Sequence, residues 1–572
     1  MYIVIRSAKC EVRRCEGASE GAKVRGARCQ RVRGLHPRTT APSHRRTSSW
    51  LNNVVILLDG NSLTLDHLIA IAYQDERVGL TDAARQRVRA ARAVVDEFAH
   101  REAPSYGINT GFGSFADVRI PADSLHALQV NLLRSHAAGV GEPLPIPVVR
   151  ATMALRANVL ARGFSGIRVE TLDLLIELLN RHVHPVVPSR GSVGASGDLA
   201  PLAHLSLVLL GEGEVWTRDT GFTRRSSAEP SEGGREPGGA ALQREGLTPI
   251  ALAAKEGLAL INGTQASTAL LGLALAGAER LARAADIAAA MSIDGLQGSS
   301  KPFDARIHHA RGFAGQSTSA SNLVALLAGS GINAAHANCG RVQDAYSMRC
   351  APQVHGAARD VFAFARRTFE IEANAATDNP MVFTEAREIV SGGNFHGAPV
   401  ALASDVLCLG LVQLATISER RSERLVNPAL SGLPAFLTRH GGLHSGLMMA
   451  QVTAAALASE LKTLAHPASA DTIPTSGNKE DHVSMSMGAG LKAQRVLELA
   501  QHVIAIELLC ACQAIDLLRP LATSPPLARV HDFIRARVPA LEEDRSTSRD
   551  LSMITEAIAS GDVERACALK VN

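Results

Sequence analysis

Four long segments rich in alanine and leucine follow Pro249, and they constrain the fold of this chain more than any other feature. They span residues 251–291, 400–426, 445–465 and 488–518. Aromatic residues make up only 3% of the chain, so its core must be built from small and aliphatic side chains, which suits closely packed helices. Helices this long and apolar usually bury several faces against one another. The sequence therefore predicts an all-α fold with a long-helix bundle domain over residues 249–572.

The rest of the chain divides into a basic head and a second globular region. Residues 1–53 contain twelve Lys or Arg and three Glu with little periodicity, which predicts disorder. A transit peptide and a translation start near Val54 are both open interpretations of this head. A basic tail is weak evidence for a nucleic-acid partner, and we expect none. Residues 54–248 have helical spacing and predict an N-terminal domain, in which the Gly-, Pro- and Ser-rich stretch 217–247 predicts a surface insertion.

The overall composition is that of an ordinary soluble protein, with 46% hydrophobic and 20% charged residues. The apolar run over residues 406–417 is too short to span a membrane. Nine cysteines are scattered without paired metal-type spacing, which favours free thiols in a reducing compartment. We therefore expect a cytoplasmic protein with no membrane contact and no metal.

A glycine-rich segment, "GSVGASGDLAPLAHL" from Gly191, precedes an apolar stretch with helical character. Asp198 is a natural helix N-cap, so Ser196 is expected in a cramped loop beside the positive end of a helix dipole. Three interpretations are open from these residues alone. They are a structural turn, a phosphate cradle and a nucleophilic serine, although the glycine patterns of the last two are absent.

Other polar residues interrupt the apolar segments. Tyr106 lies in "YGINTGFG", and Gln343, Tyr346 and Arg349 are spaced by three, which would make them neighbours on one helix. Arg349 is suited to clamping a carboxylate in bidentate fashion, but it is equally suited to an ordinary ion pair.

Three further segments carry groups with more than one interpretation. His136 lies near the end of a predicted helix, where it is either a satisfied histidine or a ligand-binding group. The triplet that begins at Glu480 fits a solvated turn, a metal site or an acid–base group, but no zinc-type spacing supports metal. Asn262 interrupts an apolar helix, where a buried amide needs a partner.

Taken together, seven segments in this order resemble the aromatic amino-acid ammonia-lyase family, from about Val54 almost to the C-terminus. They are "YGINTGFG", "LLRSHAAGVG", "GSVGASGDLAPLAHL", "INGTQ", "QDAYSMRCAPQVHG", "SGGNFHG" and "NKEDHVSM". The resemblance implies the fumarase/ammonia-lyase type of long-helix bundle, with an N-terminal domain that carries an electrophile loop.

The resemblance also implies what the glycine-rich loop does. In this family Ala195, Ser196 and Gly197 would cyclise into 4-methylidene-imidazol-5-one (MIO), an electrophile made from the chain itself, with no external cofactor. The nitrogen of Gly197 would attack the carbonyl of Ala195 with loss of one water, and Ser196 would lose its hydroxyl as a second water to leave the methylidene. Small residues are required because the loop must be compressed by the surrounding fold.

The family pattern assigns roles to further residues. Tyr106 would be the base that removes the β-proton, with its phenol pKa lowered by the site. Arg349 would hold the substrate carboxylate, and Tyr346 and Asn262 would support the electrophile and the amine. Gln343 would lie in the same shell, and Phe395 would pack beside the electrophile or the substrate.

Two positions indicate the histidine-specific branch of the family. Ser135-His136 matches the Ser-His pair of that branch, and both His136 and Glu480 would contact an imidazole ring. Lys479 departs from the pattern, since many relatives carry Gln there, and a cation at this position puts substrate affinity in doubt. The resemblance thus implies conversion of L-histidine to trans-urocanate and ammonia.

Alternatives from the same and from a different class are kept. A tyrosine or phenylalanine ammonia-lyase, or a 2,3-aminomutase with the same MIO group, is the second hypothesis. A non-catalytic helical scaffold is a remote third. The resemblance further implies a homotetramer whose sites are built from several subunits.

Overall fold

Helices dominate the structure, a computed structural model that describes residues 55–217, 234–337 and 340–572. Its compact unit spans Asn53–Asn572, and the basic head at 1–53 lies outside the described residues. The division at residue 248 stays a prediction. The predicted all-α class is confirmed.

The chain up to Pro249 forms shorter helices that carry the glycine-rich loop. These helices are α1 (Leu65–Tyr73), α2 (Asp82–Ala99), α3 (Leu125–His136), α4 (Ile146–Ala161), α5 (Val169–Asn180), α6 (Leu199–Leu207) and α7 (Gly238–Arg244). Thr81 accepts a hydrogen bond from the backbone N–H of Ala84 and so caps α2. Helix α4 is buried on all sides, so it forms the centre of this part of the chain.

The described strands form only two-stranded sheets. They pair as β1 (Val55–Leu58) with β2 (Arg77–Leu80), β3 (Val140–Pro143) with β4 (Pro188–Arg190), β5 (Glu214–Trp216) with β6 (Arg235–Pro237), and β7 (Met381–Phe383) with β8 (Glu388–Val390). The first pair is parallel and the other three are antiparallel. Each sheet is too small to form a core of its own.

The surface insertion predicted over 217–247 stays a prediction. Residues 218–233 lie outside the described residues, but β6 and α7 occupy most of 235–247. Ala241 and Leu242 on α7 are fully buried.

Beyond Pro249 the helices are longer and pack around one another. They are α8 (Glu256–Ile261), α9 (Gln265–Gly295), α10 (Ala305–Arg311), α11 (Ala314–Leu327), α12 (Gly331–Ala335), α13 (Tyr346–Arg349), α14 (Ala351–Glu372), α15 (Ala398–Val426), α16 (Pro428–Ser431), α17 (Met448–Leu464), α18 (Ser486–Leu517), α19 (Pro525–Arg535), α20 (Ser548–Ser560) and α21 (Asp562–Cys567). Helices α9, α14, α15 and α18 form the central bundle. The predicted segment at 251–291 is two helices, because residues 262–264 break it.

Two bundle helices, α15 and α18, are long and apolar enough to cross a membrane by length and composition. The apolar stretch of α15 is therefore longer than the run at 406–417 indicated. However, 72% of the apolar window in α15 and 83% of that in α18 are buried inside the protein, where the two helices pack against each other. This is the environment of core helices.

Candidate active site

The segment Ala195-Ser196-Gly197 joins β4 to α6 in a tightly enclosed loop. Gly197 has φ +75°, and a Cβ at this position would lie 2.2 Å from the carbonyl oxygen of Gly263. Gly197 and Gly263 form a parallel bridge, and the backbone N–H of Asp198 donates to the Gly263 oxygen at 2.7 Å. Only glycine fits at position 197, since any side chain would meet backbone atoms.

A second contact holds the loop from the side of α18. The carbonyl of Gly194 accepts hydrogen bonds from the Ser484 hydroxyl at 2.8 Å and from the Gly397 N–H at 3.3 Å. Met485 donates its N–H to the Val193 carbonyl at 2.7 Å. The tripeptide is thus fixed at both of its ends by segments that are distant in sequence.

Three helices begin beside this loop, at Leu199 in α6, Gln265 in α9 and Ser486 in α18. Helix N-termini carry partial positive charge, so they favour negative charge that develops on the loop. Asp198 occupies the N-cap position of α6 as expected, but its side chain does not cap that helix.

The Asp198 carboxylate instead bonds the N-terminus of the neighbouring helix α9. It accepts from the N–H and the hydroxyl of Ser267 at 2.7 and 2.9 Å. Burial raises the pKa of the Asp198 carboxyl, against the effect of these hydrogen bonds. The sequence could not predict this because Ser267 is 69 positions away.

Glu480 lies directly against Ser196. The Ser196 hydroxyl donates to Oε1 of Glu480 at 2.7 Å, and the hydroxyls of Thr475 and Ser476 donate to Oε2 at 2.6 and 2.8 Å. Burial by itself raises the pKa of the Glu480 carboxyl, but the three hydroxyl donors, with help from His136, hold this pKa below its ordinary value. Glu480 is therefore ionised at neutral pH. Thr475 and Ser476 were not predicted, although two hydroxyl residues four and five positions before Glu480 were a visible signal.

His136 is the last residue of α3, and its imidazole lies within electrostatic reach of the Glu480 carboxylate. Its Nδ1 lies 2.9 Å from the carbonyl oxygen of Leu132, which can only accept, so the proton is on Nδ1 and Nε2 is an acceptor. Burial lowers the pKa of His136, while the Leu132 carbonyl and Glu480 oppose the shift. The neutral imidazole is therefore favoured at neutral pH.

Tyr106 lies in the loop after α2 and lines a cavity of about 340 Å³ with Ser105 and Pro380. Burial raises the pKa of its phenol, a backbone hydrogen bond from Gly113 opposes this, and the negative charge of Glu480 adds to the rise. The expectation of a lowered pKa is therefore wrong for this structure, because burial and a nearby carboxylate both disfavour the phenolate.

Asn262 lies between α8 and α9 and is only 2% exposed. Its side-chain nitrogen donates to Oδ1 of Asp378 at 3.2 Å and to the carbonyl of Asn379 at 2.8 Å. The next residue, Gly263, is the one that pairs with Gly197. Asn262 is thus one residue away from the contact that closes the loop.

The segment with Gln343, Tyr346 and Arg349 lies at the surface instead. Helix α13 has a single turn and begins at Tyr346, so Gln343 precedes it and the predicted shared helix face is wrong. Tyr346 is 70% exposed, and the Arg349 guanidinium lies 4.6 Å from its ring centroid while donating to the Asp344 carbonyl. Within the described residues, no hydrogen bond or ring contact joins these side chains to the Ser196 loop.

Phe395 is half-buried in the turn before α15. Two residues later the N–H of Gly397 contacts the Gly194 carbonyl, so this turn borders the loop. The adjacent His396 ring stacks on His482, with centroids 5.8 Å apart. The structure thus brings together the tripeptide, His136, Glu480, Tyr106 and Asn262, with Phe395 on a neighbouring segment.

The chain is similar to known proteins in both sequence and fold. The family described as aromatic amino acid lyase matches residues 63–536. A histidine ammonia-lyase from Anaeromyxobacter sp. (strain K) is 56% identical over 511 residues, covering 89% of this chain and 99% of the relative. The crystal structure of histidine ammonia-lyase from Trypanosoma cruzi superposes with a TM-score of 0.82 at 45% identity, covering 90% of this chain and 95% of the other. Tyrosine aminomutase from Streptomyces globisporus superposes with a TM-score of 0.85 at 35% identity, covering 91% and 100%.

Proposed function

The chain belongs to the aromatic amino acid lyase family, and from this premise we propose that it eliminates ammonia from L-histidine and releases trans-urocanate. The observation that carries the proposal is the 2.7 Å contact between the Ser196 hydroxyl and Glu480, beside His136. It joins the tripeptide to two groups that recognise imidazole.

The tripeptide is proposed to form MIO, and the residues around it fit that group. Gly197 has no room for a Cβ, and the contacts of Gly194 and Asp198 fix the ends of the segment that must close. Once formed, MIO supplies an electrophile for the substrate's amino group. The three helix N-termini around the loop stabilise negative charge there.

The imidazole of the substrate is proposed to bind between Glu480 and His136. Loss of the Ser196 hydroxyl as water removes the donor on Oε1 of Glu480, and this oxygen then accepts an imidazole N–H. Nε2 of His136 is a second acceptor. A phenyl ring cannot donate to either group, which favours L-histidine over L-phenylalanine.

Tyr106 is proposed to take the β-proton on its phenolic oxygen. Its raised pKa means that little phenolate is present at neutral pH. Tyr106 would therefore act as a base at alkaline pH, or after substrate binding lowers the pKa of its phenol. Arg349 is proposed to bind the substrate carboxylate, with Gln343 and Tyr346 beside it.

The protein is proposed to be cytoplasmic and to form a homotetramer. Assembly would explain how Arg349, which lies away from the Ser196 loop in one chain, could reach the site. Within one chain, no hydrogen bond or ring contact among the described residues joins the exposed α13 segment to Ser196, and a second chain would supply that segment. Exposed Leu402 and Leu409 on α15, with Met449 on α17, give an apolar face for such assembly.

The test is the ultraviolet absorbance of urocanate as purified protein acts on L-histidine, with L-tyrosine and L-phenylalanine in parallel. We expect product from L-histidine alone and none from Ser196→Ala. Ser418→Ala is the matched control, since this buried hydroxyl on α15 bonds no described residue. Cinnamate or coumarate as the main product would show that L-phenylalanine or L-tyrosine, and not L-histidine, is the substrate. β-Amino acids as products would indicate an aminomutase. An inactive protein with an unchanged tripeptide mass would favour a scaffold.

A further inference from the structure

The amide of Asn262 is held in one orientation. Both partners of its side-chain nitrogen, the Asp378 carboxylate and the Asn379 carbonyl, can only accept hydrogen bonds. A flipped amide would place its oxygen against two other oxygens, so the orientation is fixed by the network. Oδ1 therefore faces away from Asp378, and no described residue donates a hydrogen bond to it.

Asp378 is in turn paired with a buried lysine. Nζ of Lys255 lies 3.3 Å from Oδ2 of Asp378, and both side chains are fully buried. The remaining oxygen, Oδ1, also accepts from the N–H of Asn379 at 2.7 Å. Burial lowers the pKa of Lys255, and the Asp378 charge opposes that shift and so favours the protonated lysine.

The backbone of Asn262 is fixed as firmly as its side chain. The fully buried Arg156 donates from one guanidinium nitrogen to the Asn262 carbonyl at 2.9 Å and to Oε1 of Gln265 at 2.6 Å. Gly263 then pairs with Gly197. The position of Asn262 relative to the Ser196 loop is consequently fixed by its peptide bond to Gly263 and by the bridge between Gly263 and Gly197.

A buried ion pair gives little net stability, because desolvation of both charges offsets their attraction. Two apolar residues of similar volume would fill the same space without that cost. The pair is better explained by what it does to Asn262. An ionised carboxylate can only accept, whereas a protonated or amide side chain could also donate to Oδ1 and release the orientation.

We propose that Lys255 and Asp378 are positioning residues, which hold the Asn262 oxygen towards the electrophile loop to accept a hydrogen bond from the substrate's amino group. This inference rests on the proposed function. It assigns Asn262 to the amine and leaves the carboxylate to Arg349.

The test compares Asp378→Asn with the unaltered protein. We expect kcat for L-histidine to fall about 10- to 100-fold, the usual effect of losing a hydrogen bond to a charged group. Binding of 3-(imidazol-4-yl)propionate, measured by calorimetry, should change less than about twofold, because this ligand has the ring and carboxylate but no amine. An unchanged kcat would overturn the inference. So would a loss of affinity for 3-(imidazol-4-yl)propionate as large as the loss of kcat.

A double-mutant cycle separates positioning from a general structural effect. Adding Asp378→Asn to Asn262→Ala should change kcat no further, since the group being positioned is already gone. Additive losses would contradict the inference. Asp405→Asn is the matched control, because it breaks a different buried pair, with Lys492 Nζ at 2.5 Å, and kcat should be unchanged.

Two further measurements keep the outcomes distinct. If Asp378→Asn does not fold, Lys255→Met provides the test. We expect the same loss of kcat and unchanged binding of 3-(imidazol-4-yl)propionate. Intact mass shows whether each variant has lost two waters from the tripeptide. An unaltered protein that releases no urocanate would refute the proposed function, whereas full activity of both variants would refute only this inference.

Discussion

Gly197 occupies a position where backbone conformation and space both require glycine. Its φ is +75°, and the nearest neighbour of an added Cβ is a backbone oxygen that cannot move aside. We therefore predict that Gly197→Ala lowers the free energy of unfolding by about 2–4 kcal/mol, from backbone strain plus the clash. It should also prevent the mass loss that accompanies closure of the tripeptide.

Gly312→Ala is a matched comparison, since Gly312 has φ +84° with nothing within 4 Å of the added Cβ. It should cost only about 1–2 kcal/mol, the strain of a left-handed alanine. Urea unfolding gives both values. Equal effects at the two positions would show that the contact with Gly263 is unimportant.

The raised pKa of Tyr106 leads us to predict that kcat/KM depends on pH. Since the phenol pKa is shifted above 10.0 by burial, the phenolate fraction increases with pH throughout the neutral and mildly alkaline range. If Tyr106 is the base, kcat/KM for L-histidine should rise about tenfold per pH unit below that pKa. Rates measured between neutral and alkaline pH test this.

Two phenylalanine variants give the control. Tyr106→Phe should be nearly inactive at every pH, whereas Tyr73→Phe, at the end of α1, should keep the profile of the unaltered protein. A flat profile in the unaltered protein would assign the β-proton to another group.

At the scale of elements, α15 and α18 are joined by a fully buried ion pair. Arg421 donates to Glu507 at 2.5 and 2.9 Å, and the Ser292 hydroxyl of α9 donates to the same carboxylate at 2.7 Å. Arg421→Met should destabilise the protein by about 3–5 kcal/mol, because it leaves a buried carboxylate without its counter-ion.

Replacing both partners should be milder than replacing one. The double variant Arg421→Met with Glu507→Leu removes the uncompensated charge, so its unfolding free energy should lie closer to that of the unaltered protein. Calorimetry or urea unfolding of the three proteins tests the order. A double variant with a lower unfolding free energy than the single variant would mean that the ion pair itself holds the helices together.

At the scale of the whole molecule, the exposed face of α15 decides whether the site can be completed. Leu409 is 42% exposed, and Leu402 lies two turns away on the same side of the helix. We predict that Leu409→Glu lowers the molar mass in analytical ultracentrifugation and reduces kcat in parallel, because charges are disfavoured in an apolar interface. Leu57→Glu, exposed on β1, should change neither. Active monomers would refute the proposed assembly.

The sequence alone determined the helical class and marked the candidate residues of the site. Alanine- and leucine-rich periodicity is a local property, so it located α15, α17 and α18 to within a few residues, although it merged α8 with α9 and missed α14. The spacing of Gly194, Gly197 and Asp198 likewise marked the tight turn and the start of α6, since helix caps and positive φ are decided by neighbouring residues. His136, Glu480 and Asn262 were found through motifs that each lie within a few residues.

Only the tertiary structure decided which distant groups meet and what state they adopt. It placed Asp198 on α9, put Thr475 and Ser476 on Glu480, and raised the pKa of Tyr106. It also paired Lys255 with Asp378 across 123 positions of sequence. These outcomes depend on burial and on hydrogen bonds between segments far apart in the chain, and no local pattern contains either. Local chemistry therefore specified the parts of the site, and packing specified their partners and charges.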